Sequence, residues 1–288
     1  PRAAAMASFA LTMKACEYDG RFLRRGVRPC ITVLGKMELD EEQRRDIADM
    51  RHKQERFDAP FLLDQAELLE VRTHLDEVGS LFEPTSEDMG LLRATAASLE
   101  DGAGIFGFEA KEQISRVLAE LEPLVAKYDV VIANPPYMGS GNMNQWLSGW
   151  VKEHYPDEKN DLFSAFFKRN IKFAVPDGEL GFMSPFVWMF ISSYEKLRRE
   201  LIGKRTITSL VQLEYSGFAD ATVPICAFTL YNSHKDSFRG AYIRLSDFRG
   251  SENQAPRALE AIQNPDCGWF YHTDAENFKS IPGWPIAY

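Results

Sequence analysis

Residues 128–141, YDVVIANPPYMGSG, set a short apolar run directly against two consecutive prolines. Neither proline can donate a ladder hydrogen bond, and each pushes the residue before it toward extended geometry. A strand over Asp129–Ala133 therefore has to stop there and leave the sheet along a rigid path. Val130, Val131, Ile132 and Ala133 are apolar on both strand faces, the pattern of a central parallel strand covered on both sides. Loops at the carboxyl ends of such strands are where open α/β sheets bind ligands. The plainer alternative is a stiff loop with a surface Asn.

Downstream, apolar runs alternate with amphipathic stretches. DLFSAFFKRNIKF (Asp161–Phe173) has helical spacing and leads through the turn formers Pro176-Asp177-Gly178 to a strand over Leu180–Met183. A helix over Ser192–Ile202 leads to a strand over Ile207–Leu213. Strands alternating with helices predict an α/β fold with a mostly parallel, doubly wound sheet. Val223–Tyr231 and Arg239–Leu245 follow with little helix between them, which predicts an antiparallel sheet edge. Upstream, Arg2–Cys16 has helical spacing and Cys30–Leu34 reads as a strand after Pro29. From Glu41 to about Leu99 the chain reads as two or three amphipathic helices broken at Pro60 and Pro84, a helical insertion on the sheet core. A further helix is expected near Lys111–Lys127. Residues 102–107, GAGIFG, match G-x-G-x-x-G spacing, but the preceding RATAASLED reads as a helix end, with Gly102 where a C-cap belongs. No cofactor loop is expected there.

Composition narrows the class. At 288 residues and 45% hydrophobic, the chain can bury a sizeable core as one large or two small domains. No apolar run approaches the roughly 20 residues that span a bilayer, and AAAMASFALTM lacks a basic leader and cleavage pattern, so no membrane partner is expected. Cys16, Cys30, Cys226 and Cys267 lie far apart, without CxxC or a Cys/His cluster. That argues against a metal site or disulfide framework and fits a reduced cytoplasm. The formal net charge of −9 opposes a simple nucleic-acid-coating protein. Basic residues do gather at Arg21, Arg24, Arg25 and Arg28, and again at Lys196, Arg198, Arg199, Lys204 and Arg205, where solvated helix faces explain them equally well.

The loop chemistry is more specific. An exocyclic aromatic amine such as adenine N6 is a poor nucleophile because its lone pair is delocalised into the ring. Two acceptors aimed at the amine hydrogens, the Asn134 side-chain oxygen and the Pro135 carbonyl, would favour tetrahedral geometry at nitrogen. Pro135 and Pro136 hold that carbonyl rigidly, and Tyr137 offers a face on which an extruded base can stack.

VVIANPPY, DLFSAFFKRNIKF, GELGFMSPFVW and EYSGFADATVPICAFTL resemble, in order, motifs IV, V, VI and VIII of S-adenosylmethionine-dependent N6-adenine DNA methyltransferases. RAAAMASFALTMKA and FKSIPGWPIAY narrow the resemblance to the large adenine methyltransferases of the bacteriophage-exclusion (BREX) and phage growth limitation systems. It covers residues 1 to about 20 and 121–288. The resemblance implies a Rossmann-like, doubly wound methyltransferase sheet, incomplete on its N-terminal side, with a helical insertion. S-adenosylmethionine is the implied cofactor, double-stranded DNA the substrate, other defence-system proteins further partners, and the cytoplasm the location. Residue by residue, Asn134, Pro135, Pro136 and Tyr137 match the amine clamp and its stacking aromatic. Phe218 matches the second aromatic, which covers the opposite face of the flipped base. Asp161 and Phe166 match positions bordering the cofactor pocket, and Pro185 matches a structural turn.

The family's F-x-G-x-G loop and ribose-binding acid have no counterpart here; the acid would fall immediately before Pro1. The chain is therefore expected to be an internal piece of a longer enzyme, inactive alone, with a target-recognition region beyond Tyr288. The expected division is a partial methyltransferase core over 1–40, a helical insertion over 41–110, the catalytic core over 111–250 and the start of a linker over 251–288. Two other readings keep the loop: an enzyme that methylates protein glutamine or ribosomal-RNA guanine, and a fold relic that no longer catalyses.

Overall fold

The computed structural model describes residues 2–35, 71, 73–98, 105–215, 217 and 223–288, and of residues 98, 105–110 and 113 the backbone alone. The chain divides into two units, 1–126 and 127–288.

In the first unit, helix α1 spans Arg2–Tyr18 and buries none of its residues. Cys30–Leu34 is not a strand. A β-prone run becomes a strand only when its N–H and C=O groups find a partner strand, and among the described residues this one has none. A one-turn helix α2 (Leu75–Val78) precedes α3 (Ser86–Ser98) and α4 (Ile105–Val125). The break at Pro84 is followed by a capping box. The Thr85 backbone N–H donates to Asp88 Oδ2 at 2.7 Å, and the Asp88 N–H donates to Thr85 Oγ1 at 3.0 Å. Met89 and Leu92 on α3, and Ile114, Val117 and Leu121 on α4, are buried at helical spacing. The expected helix EEQRRDIADMRHKQERF lies outside the described residues, as does most of LLDQAELLEVRTHL. So do Gly102 and Gly104, whereas Ile105-Phe106-Gly107 begins α4.

The second unit is built on six strands: β1 (Tyr128–Ala133), β2 (Ala174–Pro185), β3 (Thr206–Gln212), β4 (Ile225–Tyr231), β5 (Arg239–Arg244) and β6 (Phe270–Asp274). Their order in the sheet is β1-β2-β4-β3-β5-β6. Helices α5 (Gln145–His154) and α6 (Leu162–Phe173) connect β1 to β2, and α7 (Glu195–Lys204) connects β2 to β3. The α/β class is as expected, but the sheet is mixed rather than mostly parallel. β1/β2 and β3/β5 are parallel, whereas β2/β4, β3/β4 and β5/β6 are antiparallel. β4 follows β3 in the chain, lies between β2 and β3 and runs against both. β4 is therefore internal, not an edge.

The core forms where α6 and α7 cover one sheet face. From Gly178 to Ser184 β2 alternates, with Leu180, Phe182 and Ser184 buried. Phe182 stacks on Phe228 at 5.2 Å between centroids, Phe167 lies 4.6 Å from Phe182, and Trp188 lies 4.9 Å from Phe228. The predicted turn at 176–178 is a bulge inside β2. The partner of Tyr128 is Ala174 and that of Val130 is already Glu179. Asp177 takes φ +62° there, and a Cβ on Gly178 would come within 3.0 Å of the Asp129 carbonyl.

Two further expectations are corrected. β1 is an edge strand of this sheet, not a central one: Val131 and Ala133 pack on the core, but Val130 is 57% and Ile132 82% exposed. An apolar pattern on both faces does not say where in a sheet the strand sits, and among the described residues only one face of β1 is covered. Residues 251–288, expected to open a linker, supply helix α8 (Ser251–Gln263) and β6, which pairs with β5. Helix α5 was legible but unclaimed, with Leu147, Trp150 and Val151 buried at i, i+3 and i+4. Asn144 caps it by accepting from the Leu147 N–H at 2.8 Å.

Candidate active site

The chain leaves β1 at Ala133 and turns outward through Asn134-Pro135-Pro136-Tyr137. Pro135 is buried, while Asn134, Pro136 and Tyr137 are exposed, Tyr137 at 37%. The buried proline anchors the loop and the residues on either side of it face solvent. The Tyr137 hydroxyl donates to Asn134 Oδ1 at 3.0 Å. Burial of the ring, and then nearby Cys226, hold that hydroxyl above the ordinary phenol value, so at neutral pH it is an O–H donor. This one bond orients the Asn134 amide, because its oxygen must face the hydroxyl.

Beyond Tyr137 the loop runs against the start of α6. Gly139 and Asp161 form an antiparallel bridge, the Ser140 N–H donates to the Asn160 carbonyl at 2.9 Å, and the Leu162 N–H donates to the Met138 carbonyl at 3.1 Å. Asp161 is the N-cap of α6: its Oδ1 accepts from the Phe163 N–H at 3.3 Å and from the Met138 N–H at 3.0 Å. Burial raises the Asp161 carboxyl above its usual range, and these N–H donors pull it back. Tyr194, packed 5.4 Å from Phe163, has its hydroxyl pushed up to about 12 by burial and then by the charge of Asp161.

Of the residues expected at the site, Asn134 and Tyr137 are hydrogen-bonded to each other on the loop that carries Pro135 and Pro136, and Asp161 is bonded to the backbone of the next residue, Met138. Phe166 lies on α6 and is half-buried, and it does not join the core cluster that takes its neighbours Phe163 and Phe167. Pro185 ends β2, and the next residue, Phe186, donates its N–H to the Pro224 carbonyl at 2.7 Å. Phe218 lies outside the described residues. Met138 and Tyr194 complete the surroundings. Neither carries a sequence signal, because each acts through its backbone or through packing. On the open face of the sheet, Val130, Ile132, Gly181, Met183 and Thr229 line a shallow depression of about 600 Å³ that reaches Asn134. Among the described residues, no His, Cys, Asp or Glu cluster could hold a metal ion, and no helix is long and apolar enough to cross a membrane.

The chain is similar to an adenine-specific methyltransferase, BrxX, of Escherichia coli O9:H4 (strain HS), 30% identical over the whole of this chain and 25% of that protein. It is 33% identical to the adenine-specific methyltransferase PglX of Lacticaseibacillus casei (strain Zhang), over 74% of this chain and 18% of that one. It is 26% identical to the type II restriction enzyme and methyltransferase RM.Eco57I of Escherichia coli, over 43% of this chain and 13% of that protein. The chain therefore spans a quarter or less of the length of these relatives. The model of the Eco57I restriction-modification methylases matches residues 1–218, and the chain belongs to that family.

Proposed function

We propose that this chain carries the amine-clamping site of an S-adenosylmethionine-dependent methyltransferase that modifies adenine N6 in double-stranded DNA, in a bacterial phage-defence system. The observation that carries the reading is the loop itself. Asn134 and Tyr137 face solvent at the carboxyl end of a strand, with the Asn134 oxygen oriented by the Tyr137 hydroxyl and the loop braced on buried Pro135 and α6. The Asn134 oxygen and the Pro135 carbonyl accept the two amine hydrogens and shift the nitrogen toward tetrahedral geometry. The Tyr137 ring covers one face of the extruded base, and Phe218 covers the other. S-adenosylmethionine, when bound, supplies the methyl group. Phe166 borders its pocket, a half-buried ring being suited to the aromatic part of that ligand. A DNA substrate places the reaction in the cytoplasm.

The test is methyl transfer from radiolabelled S-adenosylmethionine to duplex DNA by the intact enzyme, with the product identified by mass spectrometry. N6-methyladenine is the expected product, lost in Asn134→Ala. Methylated protein glutamine or ribosomal-RNA guanine would replace the substrate, and no transfer at all would favour the relic.

A further inference from the structure

The segment after Tyr137 is held by the entrance of α6, through two backbone hydrogen bonds and one carboxylate. Asp161 Oδ1 accepts two N–H groups from opposite sides: Phe163, in the first turn of its own helix, and Met138, the residue that follows Tyr137. A Ser, Thr or Asn in this position would suffice to cap the helix. Reaching across to Met138 as well requires a side chain one atom longer than Ser or Thr, with its acceptor at the tip.

We propose that Asp161 is a positioning residue for the amine clamp: it sets the Asn134–Tyr137 loop through the Met138 N–H, and its part in the reaction is to hold that loop rather than to bind the cofactor. The proposal rests on the reading of Asn134 as the amine acceptor. The Asn134 oxygen and the Pro135 carbonyl are useful only if both point at one nitrogen, and small displacements of reacting groups are costly in rate. The loop has a fixed end at Ala133, in β1, and a second fixed end at Met138–Ser140, against Asn160–Leu162. Asp161 ties down the side of the second end that is nearest the clamp.

The experiment compares Asp161→Ala, Asp161→Asn and Asp161→Ser with Asn134→Ala in the intact enzyme. It measures kcat, KM for S-adenosylmethionine and for DNA, and amide hydrogen exchange. Asp161→Ala is expected to lower kcat about 10-fold or more while both KM values stay within about 2-fold, the mark of an interaction realised in the transition state. Asp161→Asn keeps an acceptor at the same reach and should restore most of kcat. Asp161→Ser keeps the helix cap but not the reach. It should be as slow as Asp161→Ala, with faster exchange at residues 138–140 and unchanged exchange along α6. A rise of 10-fold or more in the cofactor KM at unchanged kcat would make Asp161 a cofactor ligand and overturn the proposal. Wild-type kcat and wild-type exchange in Asp161→Ser would make it a helix cap only. The two readings fail differently. Undiminished transfer by Asn134→Ala removes the clamp itself, whereas undiminished transfer by Asp161→Ser beside a disabled Asn134→Ala removes only the positioning role.

Discussion

β1 and β2 lie side by side, parallel and paired from Val130–Glu179 to Ala133–Phe182, and each runs into a proline. β2 ends inside the protein. Ser184 is buried, its hydroxyl accepts from Trp188 Nε1 at 3.2 Å, and Pro185 leads into a 3-10 turn over Phe186–Met189 that seals the core. β1 ends at the surface, with one strand face open and its loop held from outside by α6. The same device, a strand stopped by proline, is used once to close a core and once to present polar groups. What separates the two is the partner, not the local sequence. Burial around β2 makes its residues matter for stability, and exposure around β1 leaves the residues of its loop accessible.

The comparison breaks most visibly if the roles are exchanged by mutation. Phe182→Ala, in the middle of β2 and between the rings of Phe167 and Phe228, should cost about 3–5 kcal/mol of stability, read as a shift of the urea unfolding midpoint. A loss below about 1 kcal/mol would mean that the aromatic stack is not what holds the sheet to α6. Asn134→Ala, one residue past β1, should leave unfolding almost unchanged and lower methyl transfer on the order of 100-fold or more, with little change in cofactor affinity. Near-normal turnover would remove Asn134 from the chemistry. Tyr137→Phe sharpens the contrast within the loop, since the ring stays and only the hydroxyl that orients the Asn134 amide is lost. Its kcat should fall severalfold, by about 1 kcal/mol of transition-state stabilisation, while base capture, followed by 2-aminopurine fluorescence, is retained. A fall as deep as that of Asn134→Ala would instead give the hydroxyl a direct part. The smallest effect is expected at Ile132, 82% exposed on the open face, where Ile132→Thr should stay within about 0.5 kcal/mol of wild type in unfolding experiments. A larger loss would mean that something covers this face in solution.

Much of the second unit was legible because its signals are local. Asp161–Phe173 has the helical spacing and the capping Asp that the fold uses, and the observed helix begins at the next residue. Asn134-Pro135-Pro136-Tyr137 could be read as a rigid loop with two aligned acceptors from the chemistry of proline and amide alone. Helix α5 was equally legible in its spacing but carried no chemistry to draw attention to it.

Long-range partnership decided the rest. The insertion of β4 between β2 and β3, the edge position of β1 and the addition of β6 all depend on which strand finds which partner. A strand's hydrophobic pattern does not name its neighbours. Cys30–Leu34 shows the converse, a run with strand composition and no strand structure. Arg198, which composition places in a solvated basic cluster, is 1% exposed. Its guanidinium donates to the carbonyls of Trp188 and Ile191 at 2.7 Å and of Gly283 at 2.8 Å, pinning the end of the described chain onto the core. The α/β class and the proline-stopped loop follow from periodicity and backbone restriction, which are properties of neighbouring residues along the chain. Only the tertiary structure decided that Asp161 reaches Met138 and that β1 is exposed, because both depend on groups far apart in the chain being brought within bonding distance.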